Sequence, residues 1–480
     1  MTSSLSVLFL ASEAEPFVKV GGLGDVAGSL PRALRVQGVD IRLVIPLHGT
    51  IRRSEYDLHP LTSFEVMHRG GLIPAEVYTM ELDGMPVYLI AGAPFRPDVP
   101  VYSDDWGFDA HKFIFFSLAA LELARAINWQ PDILHANDWH TAAAVYWLAL
   151  NRSNDPLYQQ TASLLTVHNL PYLGAAGGVP LGAFGLPPAS DSPLPEWARH
   201  LPLPLGLLTA DYISAVSPTY AREILTPEFG SGLHEFLITR AGTITGILNG
   251  LDQEQWNPAV DSLLKSNYHP ADLTLREANK LILQQEMSLP ADPAVPLLGF
   301  IGRLNHQKGV DLILEALQSL LDLPWQVVFL GSGDPVLERA IQQLQLEHPT
   351  RVRSALRYDA ELSHHIYAGA DALLVPSRYE PCGLVQMIAM RYGCVPIARA
   401  TGGLKDTVIE EAGSLANGFI FVEALPEALA EAIHRALTLY SDRLRWQAIQ
   451  RQAMQSDFSW EKSAREYHLL YQKLMKERHP

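Results

Sequence analysis

The chain has 480 residues, of which 48% are hydrophobic and 18% charged, as expected for a globular protein of about two domains. Its formal net charge of −16 argues against nucleic acid or an anionic membrane as a partner, because no basic block offsets it. Cys382 and Cys394 are too few for a disulfide framework or a zinc ribbon and favour a reducing cytoplasm. No apolar run reaches the roughly 18 residues of a membrane span. The run LSVLFLA is followed directly by acidic residues and predicts a buried strand rather than a targeting segment.

The first part of the chain predicts alternating strands and helices. The apolar run SVLFLA precedes the glycine-rich turn KVGGLGDV, a helix-like stretch over 25–37, a stop at Gly38 and the strand VDIRLVIP. Strand, glycine turn, helix and strand form the repeating unit of a parallel sheet, in which the turn faces a ligand.

The second part repeats this order. Strands are predicted at 296–304 and 325–333 on either side of a helix at 309–321, and DALLVPS leads into EPCGLVQMIAMRYG. We therefore predict an α/β protein with two Rossmann-like, doubly wound domains. The pattern is interrupted by Asn, Gly and Pro at 249–261, which indicates a boundary there.

The segment 174–206 is rich in Gly and Pro and predicts an irregular loop. A loop of this length inside a compact domain is usually a mobile lid or a binding loop. A surface insertion without a function is the alternative, and composition does not decide between the two.

The opening glycine turn has two interpretations. The spacing of Gly22, Gly24 and Gly28 only approximates a dinucleotide fingerprint, and the second strand lacks the expected acidic residue at its end, so NAD binding is not predicted. A purely structural turn is one possibility. Lys19, a cation just before a helix N-terminus, favours an anion instead.

Two motifs in the second half favour a phosphate ligand. Arg303 and Lys308 follow a buried strand, and a planar guanidinium with a point charge suits a diphosphate. Two solvated surface cations are the alternative, but ligands of such sheets bind at the carboxyl ends of the strands. The turn TGGLKDTV at 401–408 opens a second helix, whose free N–H groups also suit phosphate.

Acidic and imidazole side chains are predicted at further strand ends. Glu380 precedes Pro381, which is expected at the first position of a helix, so Glu380 is either a helix cap or a substrate ligand. Asp138 in HANDWHT is interpreted as a carboxylate that contacts sugar, because the histidines there do not have metal-ligand spacing. His168 and Asn169 follow another apolar strand. No D-x-D pair of carboxylates is present, which disfavours a metal-chelated nucleotide.

Together these motifs closely resemble those of the bacterial glycogen synthases and plant starch synthases. That family consists of retaining glycosyltransferases in which two Rossmann-like domains face each other across a cleft (GT-B). The shared motifs cover essentially the whole chain in family order: KVGGLGDV, HANDWH, TVHN, SPTYAREI, GILNGLD, WNP, GRLNHQKG, SRYEPCGL, TGGLKDTV and DFSWEKSAREY.

The resemblance implies ADP-glucose as donor and, as acceptor, the nonreducing 4-hydroxyl of an α-1,4-glucan such as glycogen, starch or a maltooligosaccharide. It implies retention of configuration, with no metal and no other cofactor. It also implies an acceptor-side domain at 1–255, a donor-side domain at 256–458 and a C-terminal helix within 459–480 that crosses back to the first domain. The expected compartment is the cytoplasm, or the plastid stroma if the source is a plant.

The resemblance also assigns roles to individual positions. The implied catalytic residues are Asp138 and His168 beside the sugar, Arg303 and Lys308 beside the leaving diphosphate, and Glu380 on the glucose hydroxyls. The implied donor-binding residues are Lys19, Gly22, Asn169, Tyr358, Cys382, Gly383, Leu384, Thr401, Gly402 and Gly403. The implied acceptor-binding residues are Tyr102 and Trp139.

The chain departs from the family pattern at four positions. Val20 and Val385 stand where threonine is usual, Asn137 where many relatives have histidine, and Pro204 where a lysine is common. These departures motivate one alternative, a glucan-binding or regulatory paralogue without turnover. A related enzyme that uses UDP-glucose or sucrose is a separate and weaker alternative. The retained set of implied catalytic residues favours the ADP-glucose synthase.

Overall fold

The computed structural model describes residues 5–410 and 416–478. The chain divides into two compact units, one formed by Met1–Gly250 with Trp460–Pro480 and the other by Leu251–Ser459. The division expected after residue 255 thus falls a few residues earlier, and the C-terminal segment expected from residue 459 begins at Trp460.

The first unit contains a nine-stranded sheet in the order β3-β4-β5-β2-β1-β6-β7-β8-β9. Its strands are β1 Ser6–Leu10, β2 Asp40–Pro46, β3 His59–His68, β4 Gly71–Leu82, β5 Met85–Gly92, β6 Ile133–Asn137, β7 Ala162–Val167, β8 Tyr212–Ala215 and β9 Ile244–Gly246. Only the pairs β3–β4 and β4–β5 are antiparallel, and all other neighbours are parallel.

Helices cover the parallel part of this sheet. They are α1 Gly22–Val36, α2 Trp106–Ala126, α3 Asp138–Asn151, α4 Gly178–Ala183, α5 Pro202–Thr209, α6 Pro218–Glu223, α7 His234–Thr239 and α16 Trp460–Arg478. In α1, Leu23, Val26, Leu30 and Leu34 recur every three or four residues and are buried, so one face of the helix packs on the sheet. Gly38 follows at φ +85°, which ends the helix.

The second unit contains a six-stranded, all-parallel sheet in the order β12-β11-β10-β13-β14-β15. Its strands are β10 Leu297–Ile301, β11 Gln326–Leu330, β12 Val352–Ala355, β13 Ala372–Val375, β14 Val395–Arg399 and β15 Phe419–Phe421. Its helices are α8 Thr274–Glu286, α9 Val310–Gln318, α10 Pro335–Glu347, α11 Ala360–Gly369, α12 Val385–Arg391, α13 Gly402–Thr407, α14 Pro426–Tyr440 and α15 Arg443–Gln455.

Each sheet has a point at which the strand order reverses. In the first unit the chain leaves β1 toward β2 and later returns to pair β6 on the other side of β1, with Leu10 opposite Ala136. In the second unit β10 lies between β11 and β13 in the same way. A crevice opens at the carboxyl ends of the strands beside such a point, and ligands of doubly wound sheets bind there.

The segment 174–206 is more regular than its composition predicts. It contains α4 and the start of α5, and its leucines Leu181, Leu186 and Leu194 are buried. Pro202 occupies the first turn of α5, where a missing N–H costs nothing. The Gly and Pro residues are therefore turns between apolar anchors, and the expectation of an irregular loop is corrected here.

The C-terminal helix α16 packs against α1 in the first unit. Trp460, Tyr467, Tyr471 and Leu474 are buried in the same core as the apolar face of α1. No helix among the described residues combines the length and apolar character needed to cross a membrane.

Candidate active site

Asp138 connects the ends of β6 and β7 by hydrogen bonds, beside the point where the strand order of the first sheet reverses. It is the first residue of α3, and its Oδ1 accepts backbone N–H groups from His168 (2.7 Å) and Asn169 (3.3 Å), which follow β7. Its φ of +56° is in the left-handed region, which Asp tolerates better than most residues and which often marks functional positions. Burial raises the pKa of Asp138 to about 7, despite the two N–H donors that lower it.

His168 is held beside this carboxyl as a neutral ring. Its Nε2 lies 2.8 Å from the Oδ1 of Asn137, the last residue of β6. Burial lowers the pKa of His168 to about 3, so the ring carries a single proton at neutral pH.

Glu13 is a site residue that the sequence motifs did not identify. It is 2% exposed and accepts hydrogen bonds from the backbone N–H groups of Val20 and Gly21, at the start of the glycine turn. Burial raises its pKa to about 7. An acidic residue directly beyond a buried strand is the signal that would have located it.

Lys19, expected to face an anion, is paired with carboxylates in the structure. Its Nζ lies 2.6 Å from Asp25 Oδ1 and 3.3 Å from Glu15 Oε2. Gly22 begins α1 and is exposed. The backbone of the glycine turn is therefore accessible. Lys19, however, would have to leave its carboxylate partners before it could bind a phosphate.

Of the two expected acceptor residues, Tyr102 is half-buried and Trp139 is buried. The Tyr102 hydroxyl lies 2.9 Å from Ser12 Oγ, and its ring is 5.0 Å from that of His140. Trp139 is only 4% exposed and packs edge-on against Phe113. In this conformation Trp139 offers little surface to a glucan.

In the second unit, Lys308, Glu380 and Ser377 form a compact cluster beyond β10 and β13. Lys308 Nζ lies 2.5 Å from Glu380 Oε2, and the Ser377 hydroxyl donates to the same oxygen at 2.9 Å. Glu380 is 7% exposed. Arg303, which follows β10, is exposed, and its side chain forms no hydrogen bond or ion pair within the part of the chain that the structure describes.

The helix expected to begin at Pro381 begins at Val385 instead. Gly383 has φ +76°, and a residue in that conformation cannot continue a right-handed helix, so the segment before Val385 is a turn. Glu380 is therefore not a cap of this helix. Cys382, Gly383 and Leu384 lie in the turn, and the buried Cys382 forms no disulfide with any residue that the structure describes.

The segment 380–384 and the glycines that open α13 pack on each other. Thr401 precedes α13 and is buried, while Gly402 and Gly403 open the helix. A Cβ on Gly402 or Gly403 would overlap the backbone carbonyl oxygen of Glu380 or Cys382, respectively. Only glycine allows this approach.

Two further side chains complete the description of this unit. Gln386, which the motifs did not single out, is buried and donates from Nε2 to the carbonyl oxygens of Cys382 (3.2 Å) and Gly383 (2.8 Å), so it supports the turn. Tyr358 is 89% exposed between β12 and α11, which leaves its ring free to stack. Across residues 5–410 and 416–478, no three His, Cys, Asp or Glu side chains are grouped so as to hold a metal ion.

Known proteins match this chain over most of its length. The model of the starch synthase catalytic domain matches residues 6–239, and that of the group 1 glycosyl transferases matches 284–453. The chain is 42% identical to a glycogen synthase of Anaeromyxobacter sp. (strain Fw109-5), over 98% of this chain and 99% of the relative. It is 40% identical to a glycogen synthase of Syntrophotalea carbinolica, over 99% and 100%.

Solved structures give the same result. The catalytic domain of starch synthase IV from Arabidopsis thaliana is 35% identical, with a TM-score of 0.90 over 99% of this chain and 100% of that one. A sucrose-phosphate synthase from Thermosynechococcus elongatus, 21% identical with a TM-score of 0.63 over 98% and 100%, shares the fold.

Two doubly wound units with polar side chains at their reversal points, matched by glycosyltransferase models, define an enzyme of the GT-B glycosyltransferase class. At these identities and coverages, the chain belongs to the glycogen and starch synthase family. The predicted fold class, family and enzyme class are confirmed.

Proposed function

We propose that this enzyme elongates an α-1,4-glucan by transferring glucose from ADP-glucose to the nonreducing 4-hydroxyl, with retention of configuration. The observation that carries the proposal is the Lys308–Glu380–Ser377 cluster at the reversal point of the second sheet. The Arg303 side chain, which also follows β10, is unpaired among the described residues. The proposal is supported by the Arabidopsis starch synthase IV structure, which contains ADP and acarbose, and by relatives named glycogen synthase.

The cations act on the leaving group. Breaking the bond between glucose and diphosphate builds negative charge on the leaving oxygens, and fixed cations aimed at that charge are usually the largest catalytic contribution. No carboxylate of the described residues pairs with Arg303, so its planar fork is available to the diphosphate. Lys308 supplies the second charge. With two such side chains and the N–H groups of the turn before Lys405, we propose that no metal is required.

Glu380 orients the sugar rather than attacking it. Its Oε2 is shared between Lys308 and Ser377, which lowers its nucleophilicity and leaves Oε1 to accept hydrogen bonds from glucose hydroxyls. We therefore propose a displacement on one face of the sugar, guided by the leaving phosphate, instead of a covalent enzyme intermediate.

Asp138 and His168 supply the polar surface of the first unit. Oδ1 of Asp138 is occupied by two backbone N–H groups, so Oδ2 is the atom available to the sugar as positive charge develops there. Tyr102 and Trp139 are proposed on the acceptor side, and Trp139 requires a local rearrangement to present its ring. The cytoplasm is the proposed compartment, because neither cysteine forms a disulfide within the described part of the chain.

The first test is release of nucleoside diphosphate from ADP-glucose, with and without glycogen, and with UDP-glucose in parallel. We expect primer-dependent ADP release, and a fall in kcat of about 10²–10³-fold in Lys308→Ala and Glu380→Ala. Lys265→Ala, which removes an exposed lysine of the same unit, should have no effect. Preferential turnover of UDP-glucose would show that UDP-glucose, and not ADP-glucose, is the donor. No turnover by folded protein that still binds glycogen would contradict the proposal.

A further inference from the structure

Asn137 connects three neighbouring strand ends in the first sheet. It is the fully buried last residue of β6, next to Asp138. Its Nδ2 donates to the carbonyl oxygen of Leu10, the last residue of β1, at 2.8 Å. Its Oδ1 lies 2.8 Å from Nε2 of His168, just beyond β7. The amide therefore has one partner on each side and no freedom to turn.

These partners fix the direction of every hydrogen bond. A backbone carbonyl oxygen only accepts, so the amide atom facing Leu10 has to be the NH₂ group. The other amide atom, facing His168, is then the oxygen, which also only accepts. A hydrogen bond between that oxygen and the ring requires a hydrogen on Nε2 of His168.

A neutral imidazole has one ring hydrogen, so Nδ1 of His168 is left with a lone pair. Burial keeps the pKa of His168 near 3, far below neutral pH. Nδ1 has no hydrogen-bond partner among residues 5–410 and 416–478, and it is not one of the buried atoms sealed from solvent. The backbone of His168 is itself fixed by the Asp138 carboxyl at 2.7 Å.

We propose that Asn137 is a positioning residue that holds His168 in the Nε2–H tautomer, so that Nδ1 is a fixed acceptor for a hydroxyl of the donor sugar. The tautomer follows from the contacts alone, whereas the hydroxyl rests on the proposed function. With the opposite tautomer, Nδ1 would donate, and it would compete with the hydroxyl's own hydrogen instead of receiving it.

The direct test is ¹⁵N NMR of the full-length chain labelled at histidine, with His168→Gln to identify the resonances. Near neutral pH we expect a protonated Nε2 and an unprotonated Nδ1 for His168. A spectrum with the hydrogen on Nδ1, or with both tautomers equally populated, would overturn the assignment whatever the activity of the enzyme.

The variants test the role of Asn137. Asn137→Leu has a similar volume but no polar atoms, and we expect mixed tautomers and a fall in kcat of about tenfold, the effect of one lost hydrogen bond. Asn137→His should restore the single tautomer and the kcat, because one ring nitrogen can donate to the Leu10 carbonyl while the other accepts from His168. Asn151→Leu is the matched control: Asn151 also bonds a backbone carbonyl in this unit, at 2.8 Å, and should change neither readout.

Each outcome has a separate meaning. Altered tautomers with unchanged kcat in Asn137→Leu would overturn the contact between Nδ1 and the sugar. An unaltered tautomer in that folded variant would overturn the role of Asn137. If Asn137→Leu does not fold, the wild-type spectrum and Asn137→His still decide. The expected spectrum without any ADP-glucose turnover would contradict the proposed function while the tautomer assignment stands.

Discussion

Two buried carboxyl groups, Glu13 and Asp138, are the most strongly perturbed acids of the first unit's site. Each accepts backbone N–H groups at a strand end, yet burial raises the pKa of each to about 7. Because these values lie above those of the unfolded chain, the folded protein binds protons more tightly. Their contribution to the free energy of unfolding is thus greatest at acidic pH and is lost as the pH rises toward about 7.

The pH dependence of activity should report this pair. We expect kcat/KM for ADP-glucose to rise with pH through about 7, as Asp138 ionises. In Glu13→Gln the rise should move to lower pH, because the charge of Glu13 helps to raise the pKa of Asp138. The measurement is the pH profile of kcat/KM, with Glu81→Gln, an exposed strand residue, as control. A profile that stays in place in Glu13→Gln would contradict the coupling.

At the residue scale, the sequence predicted residues that belong to motifs but not the side chains that hold those residues in place. Asp138 and His168 lie directly beyond strand ends, as the sequence predicted. Glu13 and Gln386 were not identified, and Asn137 was noted only as a departure from the family pattern. Their roles depend on partners that are brought close only by folding, such as the Leu10 carbonyl for Asn137. A motif reports residue types along the chain, while these hydrogen bonds join separate segments.

At the scale of elements, the proposed donor side of the second unit is formed by two turns that pack together only because glycine has no side chain. Gly403 N–H donates to the carbonyl oxygen of Glu380 at 3.2 Å, so the start of α13 rests on the turn before α12. Both helices are short, α12 with 7 residues and α13 with 6. The position of their N–H groups therefore depends on this contact more than on helix propensity.

Gly403→Ala should disturb both turns at once. The new methyl group would overlap the Cys382 carbonyl oxygen, and because that neighbour is backbone, a turn has to shift. We expect the KM for ADP-glucose to rise about tenfold and the free energy of unfolding to fall by about 1–3 kcal/mol. Steady-state kinetics and urea unfolding measure the two effects. Gly182→Ala in α4, where the added methyl group meets nothing, is the control, and equal behaviour of the two variants would refute the argument.

Boundaries of elements were predicted less well than their order. The helix after Glu380 begins four residues beyond Pro381, at Val385, because Gly383 adopts a left-handed conformation. In the segment 174–206, buried leucines form short helical pieces where composition indicated a loop. In the first case, the backbone conformation of Gly383 prevents the helix from starting where the pattern predicted. In the second, burial of leucines produces short helices where composition predicted a loop.

At the scale of the whole molecule, the last helix completes the first unit although it follows the second unit in sequence. Tyr471 of α16 places its hydroxyl 2.7 Å from Nδ1 of the fully buried His135 in β6. Nε2 of the same ring lies 2.7 Å from Thr166 Oγ1 in β7. The helix is thereby fixed to the centre of the sheet by a polar contact as well as by apolar packing.

Tyr471→Phe should destabilise this unit. It leaves Nδ1 of His135 buried without its partner, which costs about 1–3 kcal/mol of unfolding free energy. Denaturant unfolding of the full chain, followed by tryptophan fluorescence, measures the change. Tyr358→Phe removes the hydroxyl of a residue that is 89% exposed and serves as control. Equal stability of Tyr471→Phe and the wild type would show that the contact contributes nothing.

The sequence by itself determined the alternation of strands and helices, the division into two units, and the placement of Asp138, His168 and Arg303 at strand ends. Hydrophobic periodicity and glycine turns are local signals, and parallel strands present their carboxyl ends along one edge. Only the tertiary structure decided that Lys19 is paired with Asp25, that Glu13 occupies the N–H groups of the glycine turn, and which nitrogen of His168 carries the hydrogen. Those outcomes depend on burial and on contacts between distant segments, which no local pattern encodes.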